Sequence, residues 1–148
     1  MNEEAVVVLQ ELLQKQPFNL RAMEQIASTY LETALYDPSE AEHYYAMACD
    51  VIVSGYQQVY GKAFMLLIVP SRLPDIHARI FAGRALARYQ QHKYEKAVDD
   101  LDWALYLRPD KNTFKELKFN ALYQSGQQQK AIDFAIAEQM DVNITESL

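Results

Sequence analysis

Residues 87–110 read ARYQQHKYEKAVDDLDWALYLRPD, and six of these residues return 34 places later. Ala87, Tyr89, Gln90, Lys96, Ala97 and Asp99 align with Ala121, Tyr123, Gln124, Lys130, Ala131 and Asp133, all identical. Val98 aligns with Ile132, and His92 with Gly126 at the turn between two helical patterns. A period in the range of 20 to 50 residues, built on one helix–turn–helix unit, predicts an all-α stack of helix pairs. One such pair cannot bury its apolar face alone, so neighbours must share it. Small residues such as Ala97 and Ala131 then let the backbones approach closely.

Working outward, helical periodicity covers most of the chain. The spacing predicts eight helices, over 3–15, 20–35, 39–53, 56–68, 75–91, 93–107, 112–124 and 128–139, the fourth either separate from the third or continuous with it. Asn19 is expected to cap the second helix. Ser39 with Glu42 three places on reads as a capping box for the third. Asp75 is expected to cap the fifth helix, and residues 141–148 to form a polar, fraying tail. Connections are short and no stretch reads as a linker, so residues 1–148 are expected to form a single domain.

The pattern resembles the tetratricopeptide repeat. Tyr94, Ala97, Leu101, Ala104 and Pro109 match that family's second-helix aromatic, its small contact residue, two apolar positions and its closing proline. His92 stands where the family has a turn glycine. The resemblance covers clear repeats at 76–109 and 112–138. It also covers degenerate helix pairs within 1–70, and nothing over 54–74. It implies a right-handed superhelical stack whose first helices line a concave, ligand-binding side. On that side it places Arg79, Leu86, Tyr89 and Gln90, and, in the next unit, Asn120, Tyr123 and Gln124. Ala82 and Leu86 occupy places where the family's chaperone-tail clamp needs polar side chains, which excludes that ligand.

Of the 148 residues, 14 are basic and 20 acidic, a net charge of −6. A general nucleic-acid binder shows the opposite balance. The acidity lies in residues 1–70, with 9 acidic and 3 basic side chains, whereas residues 71–148 are balanced. Arg84 and Arg88 share a helix face at places the repeat normally buries. Either the register shifts there or the two side chains snorkel. A basic strip for an acidic partner and pairing with the molecule's own carboxylates are both readings of this pair, and self-pairing is favoured. Asp99, Asp100 and Asp102 read as a solvated face.

The residues do not assemble a catalytic constellation. Glu40 and His43 have the spacing of a helical metal pair, but no second such pair exists. His77 and His92 stand alone and read as surface residues. The lone Cys49, among apolar neighbours, reads as a small buried hydrophobe. The four glycines are isolated, so no phosphate loop forms. The sequence therefore predicts no enzyme, no metal and no cofactor. The longest apolar run, AFMLLIVP at 63–70, is far short of the ~20 residues of a membrane span. No basic segment precedes the apolar run at 5–9, so no signal peptide is expected. The chain is read as soluble and cytoplasmic.

Together these features predict a non-catalytic module that binds a peptide or partner protein in the concave groove. Size, acidity and the helical stack are also similar to small bacterial secretion chaperones that hold translocator proteins. A third reading is a homo-oligomerising scaffold, self-associating through an exposed apolar patch in 54–74. Against that patch stands the expectation that 54–74 holds a buried core helix.

Overall fold

A computed structural model describes residues 3–140; the tail at 141–148 lies outside the described residues. Among these, eight α-helices follow one another and no strand is present. They are α1 (Glu3–Lys15), α2 (Leu20–Glu32), α3 (Pro38–Tyr60), α4 (Phe64–Leu67), α5 (Asp75–Gln90), α6 (Tyr94–Leu107), α7 (Asn112–Gln124) and α8 (Gln128–Ala137). A 3-10 turn, Pro70–Arg72, lies between α4 and α5.

Local chemistry sets most boundaries. Asn19 caps α2, its side-chain oxygen accepting from the Ala22 amide at 3.0 Å. Asp37, not Ser39, opens α3: its carboxylate accepts from the Glu40 amide at 3.1 Å, and Pro38 fills the first turn. The expected capping box fails because the aspartate two places earlier takes the role. α3 then runs unbroken through Gly55 to Tyr60 and stops at Gly61, whose φ is 81°. The third and fourth predicted helices are thus one long helix and one short turn. Asp75 lies inside α5 rather than capping it, and Pro74 occupies the cap.

The turns explain why so few glycines suffice. At the end of α5 the Lys93 amide donates to Arg88 O and the His92 amide to Tyr89 O, with His92 at φ 63°. At the end of α7 the Gln127 amide donates to Leu122 O and the Gly126 amide to Tyr123 O, with Gly126 at φ 87°. This pair of bonds, closed by a left-handed residue, is the Schellman motif. The motif recurs after α8, where Gln139 adopts φ 54°. Histidine is among the residues that tolerate the left-handed region, so His92 substitutes for glycine at modest cost.

Helix pairs α2–α3, α5–α6 and α7–α8 stack in order, α1 packs on α2, and the first helices α2, α5 and α7 are neighbours along one side. Ala41, Ala97 and Ala131, one near the start of each second helix, are fully buried. Gly83 makes the closest approach. A β-carbon there would lie 2.3 Å from the ring of Tyr45 on α3, which is itself buried.

The interior also holds charge. Asp100 on α6 is only 2% exposed. Arg84 donates to it through Nη2 at 2.8 Å and Nε at 3.1 Å, and Arg88 through Nη1 at 2.9 Å. Arg88 also reaches Glu42 on α3 at 2.9 Å, where Gln91 and Lys93 converge at 2.9 Å each. The arginines keep the repeat register and pair with the molecule's own carboxylates; the register does not shift. Asp100 is therefore not part of a solvated face, although Asp99 and Asp102 are exposed. Burial raises the Asp100 carboxyl above its ordinary value against the pull of both guanidiniums. At Glu42 burial acts the same way, but hydrogen bonds from Lys93, Arg88 and Gln91 prevail and hold it at about 2.

Three outcomes follow. Gly83→Ala lowers stability by about 1–3 kcal/mol in chemical denaturation, because overpacking against Tyr45 outweighs alanine's ~1 kcal/mol helix preference. Asp100→Ala costs roughly 3–5 kcal/mol by the same measurement, since it strands Arg84 and leaves Arg88 only Glu42. Glu42 titrates below its ordinary 4.5, so its contribution is complete above that pH and lost as pH falls towards about 2. Melting temperatures across that window fall less steeply for Glu42→Gln than for the parent chain.

Candidate functional site

Two surfaces stand out. The first is the side formed by α2, α5 and α7; the seven residues expected to line a groove belong to α5 and α7. α5 carries Arg79, Leu86, Tyr89 and Gln90, and α7 carries Asn120, Tyr123 and Gln124. Their environments differ. Arg79 is clamped in a two-pronged bond to Glu24 of α2, both distances 3.0 Å. Gln90 accepts from the Tyr36 hydroxyl at 3.0 Å. Leu86 is half-buried. Tyr89 is half-buried and meets the edge of Tyr94 at 5.3 Å, and burial pushes its hydroxyl above the ordinary value. Tyr123, also half-buried, stacks on Phe119 at 6.0 Å. Asn120 and Gln124 are exposed.

Glu24 and Tyr36 were not among the expected groove residues. Glu24 belongs to α2, the degenerate first helix of its pair, and Tyr36 follows it. Treating α2 as a full equivalent of α5 and α7 would have found them.

The second surface is the insertion between α3 and α5. The expected buried core helix does not form there. Phe64 and Ile68, four apart, point inward, and Phe64 stacks on Trp103 at 5.9 Å. Met65, Leu66 and Leu67 are 50%, 86% and 59% exposed, and Val59 and Val69 are also out in solvent. A helix of four residues can bury only one narrow stripe. The segment is held from behind. Tyr106 donates its hydroxyl proton to Met65 O at 2.9 Å, and Arg108 reaches Pro70 O at 2.9 Å. Arg108 also binds Leu73 O and the Asp75 carboxylate. An open cleft beside it is lined by Pro70, Ser71, Tyr106 and residues 107–111.

The remaining reactive groups are structural. His77 is not a surface residue but half-buried, its Nδ1 2.7 Å from the Tyr56 hydroxyl. Burial, aided by the Arg108 charge, holds its imidazole below the ordinary value. His92 Nδ1 meets the Tyr94 hydroxyl at 2.5 Å, and His43 lies edge-on to Tyr44. Burial pushes the Cys49 thiol up to about 12, far from a reactive thiolate. Among the described residues no group of histidine, cysteine and carboxylate side chains is placed to hold a metal. No described helix is long and apolar enough to cross a membrane.

No family model matches the chain, and no curated protein does. Among solved structures it is similar to one described as MamA D159K mutant 2, with TM-score 0.55 and 15% identity over 95% of this chain. It spans 66% of that chain's length. A second, described as a crystal structure of MamA protein, has TM-score 0.39 and 13% identity over 87% of this chain and 76% of its own. The likeness to the first concerns fold: an all-helical, tetratricopeptide-like stack of antiparallel helix pairs.

Proposed function

We propose that this chain is a tetratricopeptide-family, non-catalytic interaction module that binds a peptide or a segment of a partner protein along α2, α5 and α7. The observation that carries this reading is the equivalence of Tyr89 and Tyr123. Both stand near the ends of the first helices, 34 residues apart, and both are only partly buried. Tyrosine joins a large apolar area to a polar tip and loses little freedom on binding, which suits an anchor for an incoming segment. Asn120 and Gln124 beside Tyr123 are exposed and supply amide donors and acceptors for a bound backbone. Arg79 and Gln90, already tied to Glu24 and Tyr36, brace α5 against the α2 region and keep the face preorganised.

A cytoplasmic location goes with this reading. A secretion-chaperone role would use the same face, with an apolar translocator segment as the ligand; identification of the captured partner separates the two. The Tyr89→Ala/Tyr123→Ala double variant is expected to lose its partner in affinity purification read by mass spectrometry. Truncating a buried aromatic anchor costs ~2 kcal/mol or more. Both side chains pack partly on the core, so binding is compared at a temperature where circular dichroism shows the variant folded. An unchanged set of captured proteins sinks the groove assignment.

A further inference from the structure

We infer that the insertion between α3 and α5 is a docking element for the surface of an anionic lipid bilayer. Its tip presents Met65, Leu66 and Leu67 side by side, and Leu66 is the most exposed of the large apolar side chains among the described residues. The tip is convex. A protein partner would need a matching concavity, whereas the acyl–headgroup boundary of a bilayer yields around a protruding apolar group. The exposure is not slack in the fold. Phe64 and Ile68 anchor the segment in the core, while Tyr106 and Arg108 hold its backbone at Met65, Pro70 and Leu73.

Charge selects the kind of surface. Between Asp50 and Asp75 the chain has no acidic residue, although 20 occur elsewhere in the 148. Lys62 and Arg72 bracket the apolar tip, both exposed, and neither enters an ion pair among the described residues. The nearest following carboxylate, Asp75, is held by Arg108. A chain of net charge −6 thus carries an apolar projection bracketed in sequence by two unpaired cations. Basic side chains at the headgroup level add attraction to anionic lipid, and apolar side chains add burial below it. The element lies on the membrane rather than spanning it, in keeping with its short helix.

The test is vesicle co-sedimentation of the full chain. Phosphatidylcholine vesicles containing phosphatidylserine are expected to pull the protein down, and phosphatidylcholine alone is not; added salt weakens the binding. Leu66→Ser with Leu67→Ser should reduce binding about tenfold or more. Lys62→Gln with Arg72→Gln should remove the preference for anionic vesicles. These side chains are exposed, and circular dichroism confirms that the variants fold. Protein left in the supernatant with anionic vesicles overturns the inference. So does equal binding by the leucine variant, or a dimer in size-exclusion chromatography that the leucine variant abolishes, which would assign the tip to a second copy.

Discussion

Asp100 sits beneath two arginines of the neighbouring helix, and the stack of helix pairs is arranged around that contact. A repeat of this kind ordinarily joins its two helices with apolar side chains. Here α5 offers Arg84 and Arg88 at those places, and α6 answers with one buried carboxylate. Burying three charges costs several kcal/mol each before pairing, so the cluster is poor evidence of extra stability. Its effect is on register. Only one alignment of α5 on α6 brings Asp100 under both guanidiniums, and only one placement of α3 brings Glu42 to Arg88, Gln91 and Lys93. A slide of one turn along either helix would leave a buried charge unpaired. Among the described residues no buried side-chain polar atom lacks a partner. The network therefore specifies a single packing of three helices where an apolar seam would tolerate several.

Turn geometry complements that network at the other end of the hairpin. The Schellman turn after α5 runs directly into the network, because Gln91 and Lys93 flank His92 and both reach Glu42. A left-handed residue at position 92 is what carries the chain round quickly enough to place Lys93 there. Local backbone conformation and the buried charges are thus two parts of one constraint. Gly83 adds a third: without a side chain, it lets α5 come close enough to α3 for Arg88 to meet Glu42.

Much of this was legible in the residues. The 34-residue repeat places α5 through α8, their turn residues and the buried alanines, since repetition reports packing that local propensity cannot. Asp100 was misread because it sits in a run with Asp99 and Asp102, and charge runs are usually solvated. A signal was present: Asp100 stands three places after Ala97 and four before Ala104, on the buried stripe, opposite two arginines at normally buried places. The pairing between helices decides the matter, and no single-helix pattern contains it. The insertion was misread for a related reason. Its composition is that of a core helix, but Gly61 and Pro70 bound it to a short stretch of which only Phe64–Leu67 are helical, too few to turn every apolar side chain inward. The groove residues were placed by analogy with the repeat, and α2 was undervalued because its own repeat match is weak.

The Tyr89 end of the first surface and the insertion lie towards opposite ends of α5. His77, against the base of the insertion through Tyr56 and Phe64, is 12 residues from Tyr89, about 18 Å along the helix axis. Between them α5 is fastened by Gly83 against Tyr45 and by Arg84 and Arg88 on Asp100. A helix held so firmly in its middle transmits little local rearrangement from one end to the other. Sites separated this far, with no shared partners, are expected to respond additively to substitution. The rigid centre that fixes the register thus also keeps the two proposed binding surfaces, the tyrosine face and the apolar tip, energetically separate.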